Sequence, residues 1–125
     1  MSAESNKEMA ARFFLERWNR GNVSVYDELR APWPGMEDER AWVLRSLAAC
    51  SRFELTIVNM IAEGDDVAVH FRTTAVFKED HFGLISAGEE LTAAGVALVR
   101  FENGRIAEDR AYLDDPRMLE FFQRI

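Results

Sequence analysis

Six polar side chains on two apolar segments are the first candidates for chemistry. His70, Arg72 and Thr74 alternate along residues 67–77, and Arg110, Tyr112 and Asp114 alternate along residues 106–114. Side chains two apart in an extended chain share a face. If both trios face one cavity, they bring together an imidazole, two guanidinium groups, a phenol and a carboxylate, which is the equipment for moving protons. The other parity stays open: Val69, Phe71, Ala75 and Phe77 make the better apolar lining and would send His70 and Arg72 to an outer face, where unpaired charges usually lie. Facing inward, an Arg72–Asp114 pair would hold the aspartate ionised and disfavour an acid role.

Further candidates lie elsewhere. Asn59 is the one polar member of the set Phe53, Leu55, Ile57, Asn59 and Ile61, and when buried it needs a hydrogen bond to backbone or to a ligand carbonyl. His81 falls in a loop, where it can shuttle protons or stand in water. Trp18, Trp33, Trp42 and Phe82 could line a pocket for a flat hydrophobic ligand, though aromatic residues at helical spacing are also ordinary core. No metal is expected, because the two histidines are eleven positions apart with no Cys or carboxylate in ligand register. Cys50 is the single cysteine. It implies no internal disulfide and reads as a small buried thiol of a cytoplasmic protein.

The elements that must position these groups can be read from local signals. The Ser5–Glu8 pair has the form of a capping box, and Met9, Phe13, Phe14 and Trp18 follow at helical spacing until Gly21-Asn22. A short helical turn through Val25 and Leu29 ends at Pro32. A third helix over residues 37–49 buries Val43, Leu44 and Leu47 and leaves Trp42 pointing away from that stripe. Four strands follow, over residues 53–61, 67–77, 91–101 and 106–114, joined by turns at Gly64 and at Asn103-Gly104, the latter a strong hairpin signal. Asp115-Pro116 reads as a cap with proline at the first helical position, opening a short terminal helix.

Whole-chain properties exclude other classes. The 125 residues suit one domain spanning 1–125 with one sizeable core. A formal net charge of -7 with scattered Lys and Arg is unsuited to nucleic acid. No apolar run approaches the roughly 20 residues of a membrane span. Helices followed by a meandering antiparallel sheet make an α+β layer structure. A strongly twisted sheet under a helix pair leaves a conical hydrophobic cavity between them.

Residues 59–69, His81-Phe82-Gly83, residues 100–108 and Asp114 together resemble the SnoaL-like polyketide cyclases of the NTF2-like superfamily. The resemblance covers most of the chain. It implies the NTF2-like cone, a small hydrophobic carbonyl ligand, homodimerisation through the sheet face, and cofactor-independent aldol cyclisation or isomerisation. By the same resemblance, Asp114 takes the place of the aspartate that closes the last strand as general acid/base. Capping of the terminal helix is the alternative role for Asp114 and Asp115. Arg110 stands where the cyclases carry an aromatic residue, and Ala87-Gly88-Glu89 where they carry Thr-Gly-Lys. Limonene-epoxide hydrolase-like proteins are similar at residues 110–114, but Thr74 replaces the second carboxylate of their site. Ketosteroid isomerase-like proteins place an aspartate about where this chain has Ala97. A non-catalytic NTF2-like binding or dimerisation module is the other reading.

Overall fold

The computed structural model describes residues 2–125. Helix α1 (Ala3–Arg20) is capped by Ser2, three residues before the expected cap. The Ser2 hydroxyl accepts from the Ser5 N–H at 3.0 Å, and the Ser5 hydroxyl accepts in return from the Ser2 N–H at 3.1 Å. A serine therefore closes the box that Glu8 was expected to close. Gly21, at φ 63°, ends the helix in the left-handed region, where a side chain is disfavoured. Helix α2 (Val25–Leu29) is one short turn.

Helix α3 (Met36–Ala48) buries Val43 and Ser46, and of the expected leucines Leu47 is half-buried against the core. Leu44 is 46% exposed. Trp42 turns inward instead of away, meeting Trp18 edge-on at 5.6 Å and Phe122 at 5.7 Å. The cause is the terminal helix α4 (Pro116–Arg124), which supplies apolar surface for the indole and accepts its N–H at the Phe122 carbonyl, 2.9 Å away. Asp115 caps α4 as expected, its Oδ1 accepting from the N–H groups of Arg117 and Met118.

The strands β1 (Cys50–Glu63), β2 (Asp66–Phe77), β3 (Glu90–Glu102) and β4 (Arg105–Leu113) pair in sequence order as an open, curved antiparallel sheet. Gly64 at φ 58° turns the first hairpin, and Asn103 and Gly104 at 52° and 79° turn the last. Helix α1 lies on the inner face near β1, where the Asn19 amide bonds both backbone groups of Leu55. Phe13, Phe14, Val25, Tyr26, Val69, Val99 and Ile106 belong to the core between helices and sheet. A second, smaller cluster gathers Cys50, Phe77, Ile85, Leu91, Met118 and Phe121 under the loop that joins β2 to β3.

Two bulges decide which residues face that core. The β1–β2 register passes from Ile57↔Phe71 to Asn59↔His70, leaving Val58 without a partner. Past that point the parity of β1 reverses: Met60 packs against the core, while Asn59 is exposed and Ile61 is 65% exposed. On β4 the register passes from Phe101↔Ile106 to Arg100↔Glu108, leaving Ala107 unpaired. A bulge adds one residue to one strand and shifts everything beyond it to the opposite face. Beyond Ala107 the inward side chains are therefore Asp109, Ala111 and Leu113, and the outward ones Arg110 and Tyr112.

At the centre of the inner face lies Gly95, opposite Phe71 on β2 and Leu113 on β4. A Cβ there would stand 2.5 Å from the Tyr112 carbonyl oxygen and 2.6 Å from the Phe71 ring. Glycine inside a strand marks such a close approach.

Candidate functional site

A cavity of about 240 Å³ opens between α1, α3 and α4 on one side and the inner sheet face on the other. Phe14, Trp18, Trp42, Phe53, Phe71 and Phe122 wall it, and Arg17, Glu39, Thr73 and Asp109 supply its polar lining. Helical spacing explains Arg17: it follows Phe13 and Phe14 by one turn and so shares their buried face. Its guanidinium lies 4.2 Å from the Phe13 ring centre and 4.9 Å from that of Phe14.

Arg17, only 3% exposed, is the hub of a charged cluster. Its Nη1 donates to the Tyr26 hydroxyl at 3.0 Å, and Tyr26 donates in turn to Glu39 at 2.7 Å. The same Nη1 is 3.6 Å from Asp109 Oδ2 and 3.7 Å from Glu39 Oε2, close enough for charge attraction but beyond hydrogen-bond length. Arg30 holds Asp109 from the other side, with Nε 3.2 Å from Oδ1 in an ion contact that lacks hydrogen-bond alignment. Arg30 Nη1 donates to the carbonyls of Ala107 at 2.5 Å and Ile106 at 3.3 Å. The bulged residue thus offers its free carbonyl to the arginine that fixes Asp109. Burial pushes the Tyr26 hydroxyl far above its ordinary ionisation range, and Glu39 adds to this while Arg17 opposes it.

A family model for SnoaL-like polyketide cyclases matches residues 8–120. The chain belongs to the SnoaL-like polyketide cyclase family. Solved structures agree on the fold. TsrD from Streptomyces laurentii superposes with a TM-score of 0.80 at 18% identity, covering 100% of this chain and 99% of its own. A candidate polyketide cyclase from Acidithiobacillus ferrooxidans gives 0.78 at 25% identity, covering 99% of both chains. A ketosteroid isomerase-like protein from Catenulispora acidiphila, solved with trimethylamine, gives 0.69 at 19% identity and covers 84% of both. No curated protein matches in sequence.

Within this SnoaL-like fold, several expected site residues stand elsewhere. Asp114 is exposed at the end of β4, where its Oδ1 accepts from the Ala94 N–H at 2.9 Å and so ties off the β3–β4 ladder. The Ala107 bulge keeps Asp114 and Tyr112 out of the cavity, and Tyr112 is 58% exposed. His70 and Arg72 are exposed on the outer sheet face, because β2 turns Val69, Phe71 and Thr73 inward. Asn59 is outside through the Val58 bulge.

Trp33 covers the Arg30 guanidinium at 4.1 Å and does not line the cavity. His81 sits edge-on to Phe77 and Phe121 in the second cluster, and Phe82, at φ 54°, lies near Arg124. Trp18 and Trp42 are the expected residues that do line the cavity.

The aspartate on its wall, Asp109, escaped sequence reasoning because strict alternation sends it outward. Arg17 left a signal: a charge interrupting the apolar face of α1. Among the described residues no three His, Cys, Asp or Glu side chains gather as metal ligands, and no helix is long and apolar enough to cross a membrane.

Proposed function

We propose that this SnoaL-like protein takes a small apolar ketone into the cavity and moves a proton at the carbon beside the carbonyl, with Asp109 as the base. The observation that carries this reading is a carboxylate with its side chain only 11% exposed, on the wall of a cavity otherwise lined by aromatic rings. Breaking a C–H bond next to a carbonyl is the step common to aldol ring closure and to isomerisation, and a positioned carboxylate speeds it by excluding water and holding geometry. Both steps run without a cofactor. The cavity is below the roughly 300–1,000 Å³ usual for drug-sized ligands, so the reading favours one or two rings over an extended polycycle.

The test uses 2-tetralone, a two-ring ketone with acidic α-hydrogens. The protein is expected to bind it with quenching of tryptophan fluorescence, since Trp18 and Trp42 line the cavity. In heavy water the α-proton signals are expected to disappear from the NMR spectrum faster than in buffer. Asp109→Asn should lower that rate by about a hundredfold or more, the usual scale for a general base, while Asp114→Asn leaves it nearly unchanged. Binding without any exchange above buffer would reject the catalytic reading.

A second reading concerns assembly. Ile61, Val96, Leu98 and Tyr112 stand exposed on the outer sheet face, with Arg100, Arg110, Asp66 and Glu108 among them. We infer that a second copy of the chain covers this face. Side chains of both signs flank the apolar ones, so a copy turned by a two-fold rotation can present opposite charges.

A further inference from the structure

We infer that Arg17 holds the substrate's carbonyl oxygen and carries its negative charge while the neighbouring carbon is deprotonated. The inference rests on the enolisation reading and adds to it a second catalytic residue, on a different element from the base.

A guanidinium has five N–H donors in a rigid fork. Arg17 is buried on the cavity wall and donates a single hydrogen bond, to Tyr26, while its Nε has no partner at all. Both nearby carboxylates stay beyond hydrogen-bond length. Arg30 differs in its Nη1, which two backbone carbonyls occupy, while its Nε abuts Asp109 without a hydrogen bond. One arginine is fastened and the other keeps free donors. With Arg17 on the cavity wall and a single hydrogen bond made from Nη1, its fork keeps donors from which a ligand carbonyl oxygen can accept.

Fixity supports the same role. Phe13 and Phe14 pack against the Arg17 guanidinium, and the Tyr26–Glu39 pair braces Nη1 from the side. Donors that are already oriented need no reorganisation when charge develops, and this is where electrostatic stabilisation of a transition state is strongest.

Charge balance supports it too. Arg17 and Arg30 offset Asp109 and Glu39, so a neutral ketone enters a cluster without excess charge. When Asp109 takes the proton, the C–H electron pair becomes the new C=C bond and the carbonyl π pair moves to oxygen. The negative charge leaves Asp109 and appears on the enolate, and both positions adjoin Arg17, whose Nη1 is 3.6 Å from Asp109 Oδ2. The attraction lost at one site is regained at the other. In an unsaturated ketone, returning the proton to the far carbon of the dienolate completes an isomerisation; attack by the deprotonated α-carbon on a second carbonyl, whose oxygen then takes the proton from Asp109, completes an aldol closure.

The experiment uses 2-naphthol, a stable enol of the same two-ring shape, bound to the Asp109→Asn protein, whose neutral side chain stands for the protonated base. Absorbance reports the naphtholate. With Arg17 present, bound naphthol should ionise about one pH unit or more below free naphthol, as an adjacent cation requires. Adding Arg17→Gln should abolish that shift, and adding Arg17→Lys should restore part of it. In the otherwise native protein, Arg17→Gln should slow α-proton exchange of 2-tetralone by about a hundredfold, the scale of one lost oxyanion donor, with a much smaller change in its affinity. Naphthol that binds yet ionises as it does in free solution overturns the role of Arg17 and leaves Asp109 as base intact. Failure of 2-tetralone to bind overturns the enolisation reading, and this inference with it. If Arg17→Gln does not fold, the comparison of bound with free naphthol in the Asp109→Asn protein still decides.

Discussion

Tyr26 is fully buried, and its hydroxyl links the cation of α1 to the carboxylate of α3. Burial raises its ionisation above the ordinary value of 10.0. A group whose folded-state value is raised stabilises the fold below the unfolded value and loses that contribution as pH climbs toward the folded one. Wild-type stability to urea is therefore expected to hold up to about pH 10 and to fall above it, and Tyr26→Phe should flatten that fall. At about pH 8 the same substitution should cost on the order of 1–3 kcal/mol, the penalty for leaving buried polar partners unsatisfied. An unchanged alkaline profile in Tyr26→Phe would place the sensitivity elsewhere. Arg17 went unnoticed in the sequence, although a charge following two phenylalanines on one helical face demands either exposure or partners. Which partners it has could not be read, because Glu39 and Asp109 come from elements distant in sequence.

Locally coded elements were the readable ones. Gly21, Asn103-Gly104 and Asp115-Pro116 act through their own backbone angles or caps, and each lies where it was expected. The bulges at Val58 and Ala107 were not readable, although each decides which side chains the cavity receives. Nothing in Ile106-Ala107-Glu108 marks an unpaired residue; the reason to bulge comes from Arg30, whose Nη1 takes the Ala107 carbonyl. Non-local partners also explain Trp42, turned inward by a helix some eighty residues further on. That contact is testable. Trp42→Phe keeps a ring but removes the N–H bonded to Phe122, so about 1 kcal/mol of stability should be lost, and amide exchange over residues 118–124 should quicken. Unaltered exchange there would show that α4 is held by packing alone, with the Asp115 cap and the Arg117–Glu89 ion pair as its remaining ties.

At the scale of the molecule, the sheet has two faces of different kinds, one closed over by helices and the other bare. Leu98 is 51% exposed on the bare face, level with Arg110 on β4 and Ala68 on β2. An apolar patch so placed is disfavoured in water unless something covers it. Sedimentation is expected to show a dimer, and Leu98→Glu to give a monomer whose circular dichroism is unchanged, since the substituted side chain lies outside the core. A wild-type monomer at every concentration would reject the assembly reading. The α+β layering and the meander were legible from the order of elements. The division of labour between faces was not, because it depends on the two bulges.

Gly95 sets the depth of the cavity. Its missing methyl leaves room for the tip of the Phe71 ring against the sheet, beside the Tyr112 carbonyl. Any side chain at this position would have to displace that ring, which also lines the cavity, and the backbone beside it. The capacity of the site therefore depends on an atom that is not there: one added carbon would press both the Phe71 ring and the β4 backbone at Tyr112 out of their present places.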